Sequence, residues 1–283
     1  MSVINTSSNS LVTNISVGLE PYSATVSLNG EFVYIPEVGS NYIQVINTSS
    51  DKVVNEIGKF LFPIGLAITP NGKFAYVAES NGVMPVINLT NNKIIDNITG
   101  FSSPYGIAIT PNGKFAYVLN SGTNSVYLIN ISSNSLIDNI TGFSSPYGIA
   151  ITPNGKFAYV ANDISSVVSV INTSSNLLIK NITGFSSPYG IAITPNGKFA
   201  YVVNYGGNAV SVINLSNNVV ISSINVGFEP ESVAITPNGK FAYVSNYESN
   251  SVSIINISSN SLVTNIEVGT NPLGLSLSIL DSI

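Results

Sequence analysis

Histidine, cysteine and arginine are missing altogether, and only 8 % of the residues are charged. Without histidine the chain lacks the commonest general base, metal ligand and haem ligand. Without cysteine there are no disulfides, thiolate metal sites or thiol chemistry. Nine lysines stand against fourteen acids, a net charge of −5, which gives little affinity for phosphate backbones and argues against nucleic acid as a partner. Long hydrophobic runs are absent too. The valine and isoleucine segments are short and broken by Asn, Ser and Gly, so no membrane span is predicted and the chain reads as soluble. The start Ser2-Val3-Ile4-Asn5 has neither the basic nor the apolar region of a signal peptide, so this is expected to be either a cytoplasmic protein or the mature form of a secreted one.

What is present is repetition. The string TPNGKFAYV stands at Thr69–Val77, Thr110–Val118, Thr152–Val160, Thr194–Val202 and Thr236–Val244, with a drifted copy, SLNGEFVYI, at Ser27–Ile35; successive copies start 41 or 42 residues apart. Self-similarity at this period marks a propeller or solenoid. In the unit from Ser103 to Ile140, short β-branched and aromatic runs alternate with Asn-Gly and Ser-Asn turns, and no window has helical spacing. Each unit is therefore predicted to be a four-stranded antiparallel meander. Its first two strands are apolar on both faces, so units must stack face to face, which predicts a closed all-β propeller of seven blades.

Six complete blades are expected at about 18–57, 58–98, 100–140, 142–182, 184–224 and 227–267. Residues 1–17 match the last two strands of a unit and residues from 269 match its beginning, so a shared seventh blade, 1–17 plus 269–283, is expected to close the ring. The counterpart of Ala242–Ser251 is missing from it, which predicts a short or three-stranded blade.

The units TPNGKFAYVLN, TPNGKFAYVAN and TPNGKFAYVVN, followed by NSVYLIN or AVSVIN and then SSN or SNN, resemble the YVTN-repeat β-propeller family over nearly the whole chain. That resemblance implies the propeller fold. It also points to surface-layer and periplasmic proteins, and to a fold shared with lactonases and lyases. Asn replaces the family's Asp in the first turn, at Asn71, Asn112, Asn154, Asn196 and Asn238, and at the end of the third strand. Both residues form Asx-turns, so the fold is served while charge is discarded.

Three features bear on function. N-x-[ST] sequons stand at Asn5, Asn14, Asn47, Asn88, Asn97, Asn130, Asn139, Asn172, Asn181, Asn214 and Asn256, as on a glycosylated extracellular protein, although copying one triplet around a repeat also produces them. Lys73, Lys114, Lys156, Lys198 and Lys240 accompany the first turn, whereas Glu20, Glu37, Glu79, Asp163, Glu229, Glu231 and Glu248 fall in connections at the other end. A ligand site at a channel mouth would use Glu37, Glu79, Asn120, Asn162, Asp163, Asn204, Tyr205, Asn246, Tyr247 and Glu248; the repeated Phe-Ser-Ser-Pro-Tyr-Gly beside them reads equally as a structural connector. No cofactor or metal is indicated. The leading expectation is a non-catalytic secreted or cell-surface module that binds other surface proteins or glycans, or its own copies. The alternative is a lactonase-like hydrolase or lyase using carboxylates such as Glu79 and Glu248.

Overall fold

The computed structural model describes residues 1–277. Its organising element is the first hairpin of each repeat, and the TPNGK sequence accounts for it. Thr110 N–H donates to Phe115 O at 2.9 Å, the Thr110 hydroxyl accepts Phe115 N–H at 3.1 Å, and Asn112 Oδ1 accepts Lys114 N–H at 3.0 Å. Gly113 supplies the left-handed turn, φ +67°. The same bonds recur at Thr69, Thr152, Thr194 and Thr236, and Ser27 replaces the threonine in the drifted copy.

The described residues form six four-stranded antiparallel sheets, each with its strands in chain order, together with a two-stranded hairpin, Ser2–Asn5 and Ser10–Asn14. These sheets are the blades of an all-β propeller. The second and third strands of a blade are almost wholly buried, and the fourth is mostly exposed. The fourth strand of each of the six blades carries a bulge at the same place, and the unpaired residue is apolar and about half exposed: Val54, Ile95, Ile137, Ile179, Ile221 or Val263; the second strand of the N-terminal hairpin has a like bulge at Val12. The bulge bends the strand and interrupts its ladder, which blunts an edge otherwise open to pairing with other chains.

By chain contacts the described residues form two compact units, Met1–Ser16 with Tyr147–Leu277, and Val17–Pro146. In both, the core lies between consecutive blades. One cluster joins Tyr34, Ile43 and Val45 to Leu66, Ala75 and Val77; another joins Tyr201, Val210 and Val212 to Val233, Ala242 and Val244. In three FAYV segments the buried Tyr also reaches the third-to-fourth-strand turn of the following blade. Tyr76 donates to Asn134 Oδ1 at 2.5 Å, Tyr159 to Asn218 at 2.7 Å and Tyr201 to Asn260 at 2.5 Å. Burial holds the phenols of Tyr76, Tyr159 and Tyr201 up at about 12. Each acceptor Asn has a positive φ, which explains why Asn ends the Ser-Ser-Asn turn.

In the first unit the N-terminal hairpin packs against the last complete blade. Tyr243 donates to Asn9 at 2.6 Å, 234 residues away in sequence, and Gly269 N–H bonds Ser2 Oγ at 3.2 Å. Leu275 and Leu277 pack with Ile4 against Tyr243, Val252 and Ile254, although residues 269–277 form no assigned strand. The part of the expected seventh blade beyond Leu277 lies outside the described residues. Against the expectation of strands and turns alone, two single turns of 3-10 helix occur, Ser121–Thr123 and Tyr205–Gly207, each closed by an Asn in the left-handed region. These loops are too short for an apolar periodicity, so helical spacing could not mark them.

Candidate functional site

The first strands of neighbouring blades run so close that glycine is required between them. A Cβ on Gly65 would stand 2.3 Å from Tyr105 O, one on Gly148 2.2 Å from Tyr189 O, and one on Gly190 2.7 Å from Glu231 O. This crowding brings together the residues that follow the strand-opening proline: Tyr22 and Tyr105 in one unit, Tyr147, Tyr189 and Glu231 in the other. Side chains two repeats apart then touch. The hydroxyls of Tyr22 and Tyr105 are hydrogen-bonded, with their rings edge to face at 5.7 Å.

In the other unit the pattern breaks. Where the preceding blades read Pro-Tyr-Gly, the last reads Pro230-Glu231-Ser232, so a carboxylate occupies the tyrosine position. Tyr147 OH donates to Glu231 Oε2 at 3.2 Å. Tyr147 stacks on Tyr189, with ring centroids 4.0 Å apart and planes 16° apart, and Tyr189 stacks on Tyr205 at 4.5 Å and 15°. Tyr205 reaches the stack because the 3-10 turn that it opens folds the loop back, its N–H held by Ser187 O at 3.0 Å.

Two carboxylates flank the stack. Glu229 accepts a hydrogen bond from Tyr205, and that bond, with burial, pushes the Tyr205 phenol far above its usual range. Glu229 adopts φ 48°, a position held by Ser145 and Ser187 in the two preceding blades, with its N–H fixed by Asn208 Oδ1 at 2.9 Å. Burial raises Glu231 to about 7, and the negative charge of Glu229 adds to this; the Tyr147 bond opposes it. All five side chains remain partly exposed, so water reaches them. The arrangement is an asymmetric acid/base centre: a carboxylate that titrates near neutrality, a phenol bonded to it and a second carboxylate alongside.

Six residues expected at a channel mouth end second strands and are buried. Glu37 accepts Gly18 N–H at 2.7 Å, Glu79 accepts Leu61 N–H at 3.0 Å, and Asn120, Asn204 and Asn246 accept Ser102, Ser186 and Gly227 N–H. Asn162 donates to Ser169 Oγ at 2.9 Å. The five accepting side chains anchor blade-to-blade connectors, and Phe101, Phe143, Pro104 and Pro146 of the connector segments are buried. Asp163 and Tyr247 are partly exposed and Glu248 is exposed; of that group only Tyr205 joins the carboxylate centre. Glu79 and Glu248, suggested as a pair, differ in setting: Glu79 is buried, its carboxyl pushed up by desolvation, and Glu248 lies at the surface.

Sequence reasoning noted Glu229 and Glu231 only as members of an acidic set at one end. The signal for Glu231 is its register, because it replaces the Tyr that follows the proline in the three repeats before it. The sequons fall into two groups. Asn47, Asn88, Asn130, Asn172, Asn214 and Asn256 use Oδ1 in turns at the end of third strands, and Asn5 does so at the end of the first strand of the N-terminal hairpin. Asn97, Asn139 and Asn181 lie exposed on fourth strands, and Asn14 lies exposed on the N-terminal hairpin. Among the described residues no helix is long and apolar enough to cross a membrane.

A family model described as lactonase, 7-bladed beta-propeller, matches residues 87–178 and 171–271, together more than half of the chain. No curated protein matches. Among solved structures, a functionally unknown protein from Desulfotomaculum acetoxidans superposes with a TM-score of 0.84 at 22 % identity, over 96 % of this chain and 93 % of that one. Hydrazine synthase of Kuenenia stuttgartiensis superposes with a TM-score of 0.63 at 21 % identity, over 86 % and 97 %. At such identities the likeness shows the fold alone. The lactonase match overturns the expectation of a non-enzymatic module. That expectation rested on missing His and Arg, yet burial tunes a carboxylate to the same working range.

Proposed function

Because the chain belongs to the lactonase-type seven-bladed β-propeller family, we propose that it is a hydrolase that opens lactone rings, with Glu231 as its general base. One observation carries this reading: a carboxylate held at about 7 breaks the tyrosine repeat and receives the Tyr147 hydroxyl. A base is most effective when its pKa lies near the working pH. Glu231 takes a proton from a water molecule as that water adds to the ring carbonyl carbon. The carbonyl oxygen becomes an oxyanion, and Tyr147, no longer needed by the neutralised carboxyl, turns its O–H toward it. As the oxyanion collapses, the ring C–O bond breaks and the departing alkoxide takes the proton from Glu231, leaving an open hydroxy acid.

Glu231→Gln should lower kcat/KM for lactone opening by at least about 100-fold. The wild-type rate should rise with pH and level off above about 7, as the carboxylate loses its proton. An unchanged rate in the variant, or a rate independent of pH between 5 and 8, would overturn the assignment.

The same reading includes a seventh blade made by the N-terminal hairpin and the segment from Gly269. Its support is the Tyr243–Asn9 bond, which repeats the bond between complete blades, and the packing of Leu275 and Leu277 with Ile4. Deleting residues 1–16 should expose that core and render the protein insoluble; a stable, soluble truncation would count against it.

A further inference from the structure

We propose that Glu37 holds a proton on Oε2 and donates it to Gln44 Oε1, and that this bond is a pH-operated latch on the connector through Gly18 and Leu19. The later blades supply the pattern. Asn246 works in two directions: Oδ1 accepts Gly227 N–H from the connector at 3.1 Å, while Nδ2 donates to Ser253 Oγ at 2.9 Å, and Ser253 donates to Asn265 Oδ1 at 2.7 Å. Asn162, Ser169 and Asn181 repeat the inward half of this relay at 2.9 and 2.7 Å. In the first blade the same register holds Glu37, Gln44 and Glu56, because Gln44 stands opposite Ile35 and Glu56 as Ser169 stands opposite Val160 and Asn181.

The outer bonds of the relay are kept: Glu37 Oε1 accepts Gly18 N–H at 2.7 Å, and Gln44 Nε2 donates to Glu56 Oε1 at 3.3 Å. The link between them lacks a donor. Glu37 Oε2 and Gln44 Oε1 are both buried without a partner, in side chains 0 % and 7 % exposed. Turning the Gln44 amide over would serve Glu37 only by setting an oxygen against the Glu56 carboxylate. A proton on Glu37 Oε2 satisfies both orphan oxygens at once, and it runs the relay in the direction used by Asn162 and Asn246.

The groups around Glu37 set the sign of its pH dependence. Burial raises the carboxyl above 4.5, the Gly18 bond and the Ser40 hydroxyl lower it, Glu56 raises it and the N-terminal ammonium lowers it, with a net rise. Glu20 lies on the connector, and Tyr42 stands opposite Glu37 on the third strand. A value higher in the fold than in the unfolded chain means that the latch is full below pH 4.5 and is lost as pH rises through the folded value. Beyond that point a charge faces Gln44 Oε1 beneath a connector packed so closely that Gly18 has no room for a Cβ. Ser40 bonds Glu37 and also accepts Leu19 N–H at 2.6 Å, so water reaching the carboxylate releases both connector amides. The latch belongs to the unit Val17–Pro146 and Glu231 to the other, so hydrolysis is not its readout.

The test is amide hydrogen exchange on the full chain, wild type and Glu37→Gln, from pH 4 to pH 9. The infrared carbonyl band of a protonated carboxyl is followed in parallel as the difference between the two proteins. Glutamine keeps an acceptor for Gly18 and gives Gln44 an N–H, so the variant should hold the latch shut at every pH. After correction for base-catalysed exchange, protection of Gly18 and Leu19 in the wild type should fall at least about ten-fold as pH rises, over the interval in which the band disappears. Protection as constant in the wild type as in the variant, or a band lost with its midpoint at 4.5 or below, would overturn the proposal. Calcium chloride that restores wild-type protection at pH 8 would also overturn it, by assigning the two oxygens to a cation instead of a proton. The wild-type exchange profile and its calcium arm need no variant, so they decide even if glutamine upsets the fold.

Discussion

Replacing Glu231 by glutamine should make the protein more stable while it removes the proposed base, and the pH dependence of that gain is calculable. The folded protein holds this carboxyl at about 7 against an ordinary 4.5. At about 1.4 kcal/mol per unit the shift sets a ceiling of about 3.4 kcal/mol, which partial exposure to water reduces to about 1–2 kcal/mol. A raised pKa means that the fold binds the proton more tightly than the unfolded chain does. Its contribution is therefore full below pH 4.5, declines as pH rises toward 7 and stays lost above. The neutral amide keeps an acceptor for Tyr147 and escapes the penalty of burying a charge beside Glu229. Thermal melts of both proteins from pH 4 to pH 9 should coincide within about a degree at the acid end. Above pH 7.5 the variant should melt about 2–6 °C higher. A gap that does not change with pH, or a variant less stable at pH 8, would refute the claim that desolvation of a charge sets the properties of this residue.

Other outcomes follow from the packing. Gly190→Ala must push aside Glu231 O at 2.7 Å and Ser232 Cα at 2.9 Å, so it should cost about 1–3 kcal/mol in urea unfolding and displace the Glu231 carboxylate; wild-type stability would show that the first strands can part. Tyr201→Phe removes the donor to Asn260 Oδ1 and should cost about 1 kcal/mol by the same measurement. Glu37→Asn should stabilise the protein at pH 8: Glu37 Oε2 and Gln44 Oε1 are both buried without a partner, whereas the Asn162 amide at the equivalent place donates to Ser169 Oγ. Because burial raises Glu37, this gain should vanish in acid, and a melting temperature unchanged at pH 8 would argue that water satisfies those oxygens.

The repeat made the blades legible at once. A TPNGK turn closes its hairpin with bonds between residues at most five apart, and the apolar strands beside it have only neighbouring blades in which to bury both faces. Even the Tyr and Asn that link consecutive blades were visible as recurrent letters, though not as a pair, because they lie 58 or 59 residues apart. The site was obscured for the opposite reason. A position is singled out only by what it meets two repeats away, and the alternation of buried anchors with open side chains at one end of the blades cannot be counted from spacing. Thus Glu37 and Glu79, conspicuous as acids among asparagines, turned out to cap connectors. Glu231, one acid among several, owes its character to Tyr147, 84 residues earlier, and to Glu229. Local hydrogen bonding and burial determine the blade from the sequence alone. Proximity and desolvation, which convert an ordinary carboxylate into a base, exist only once the first strands are packed side by side.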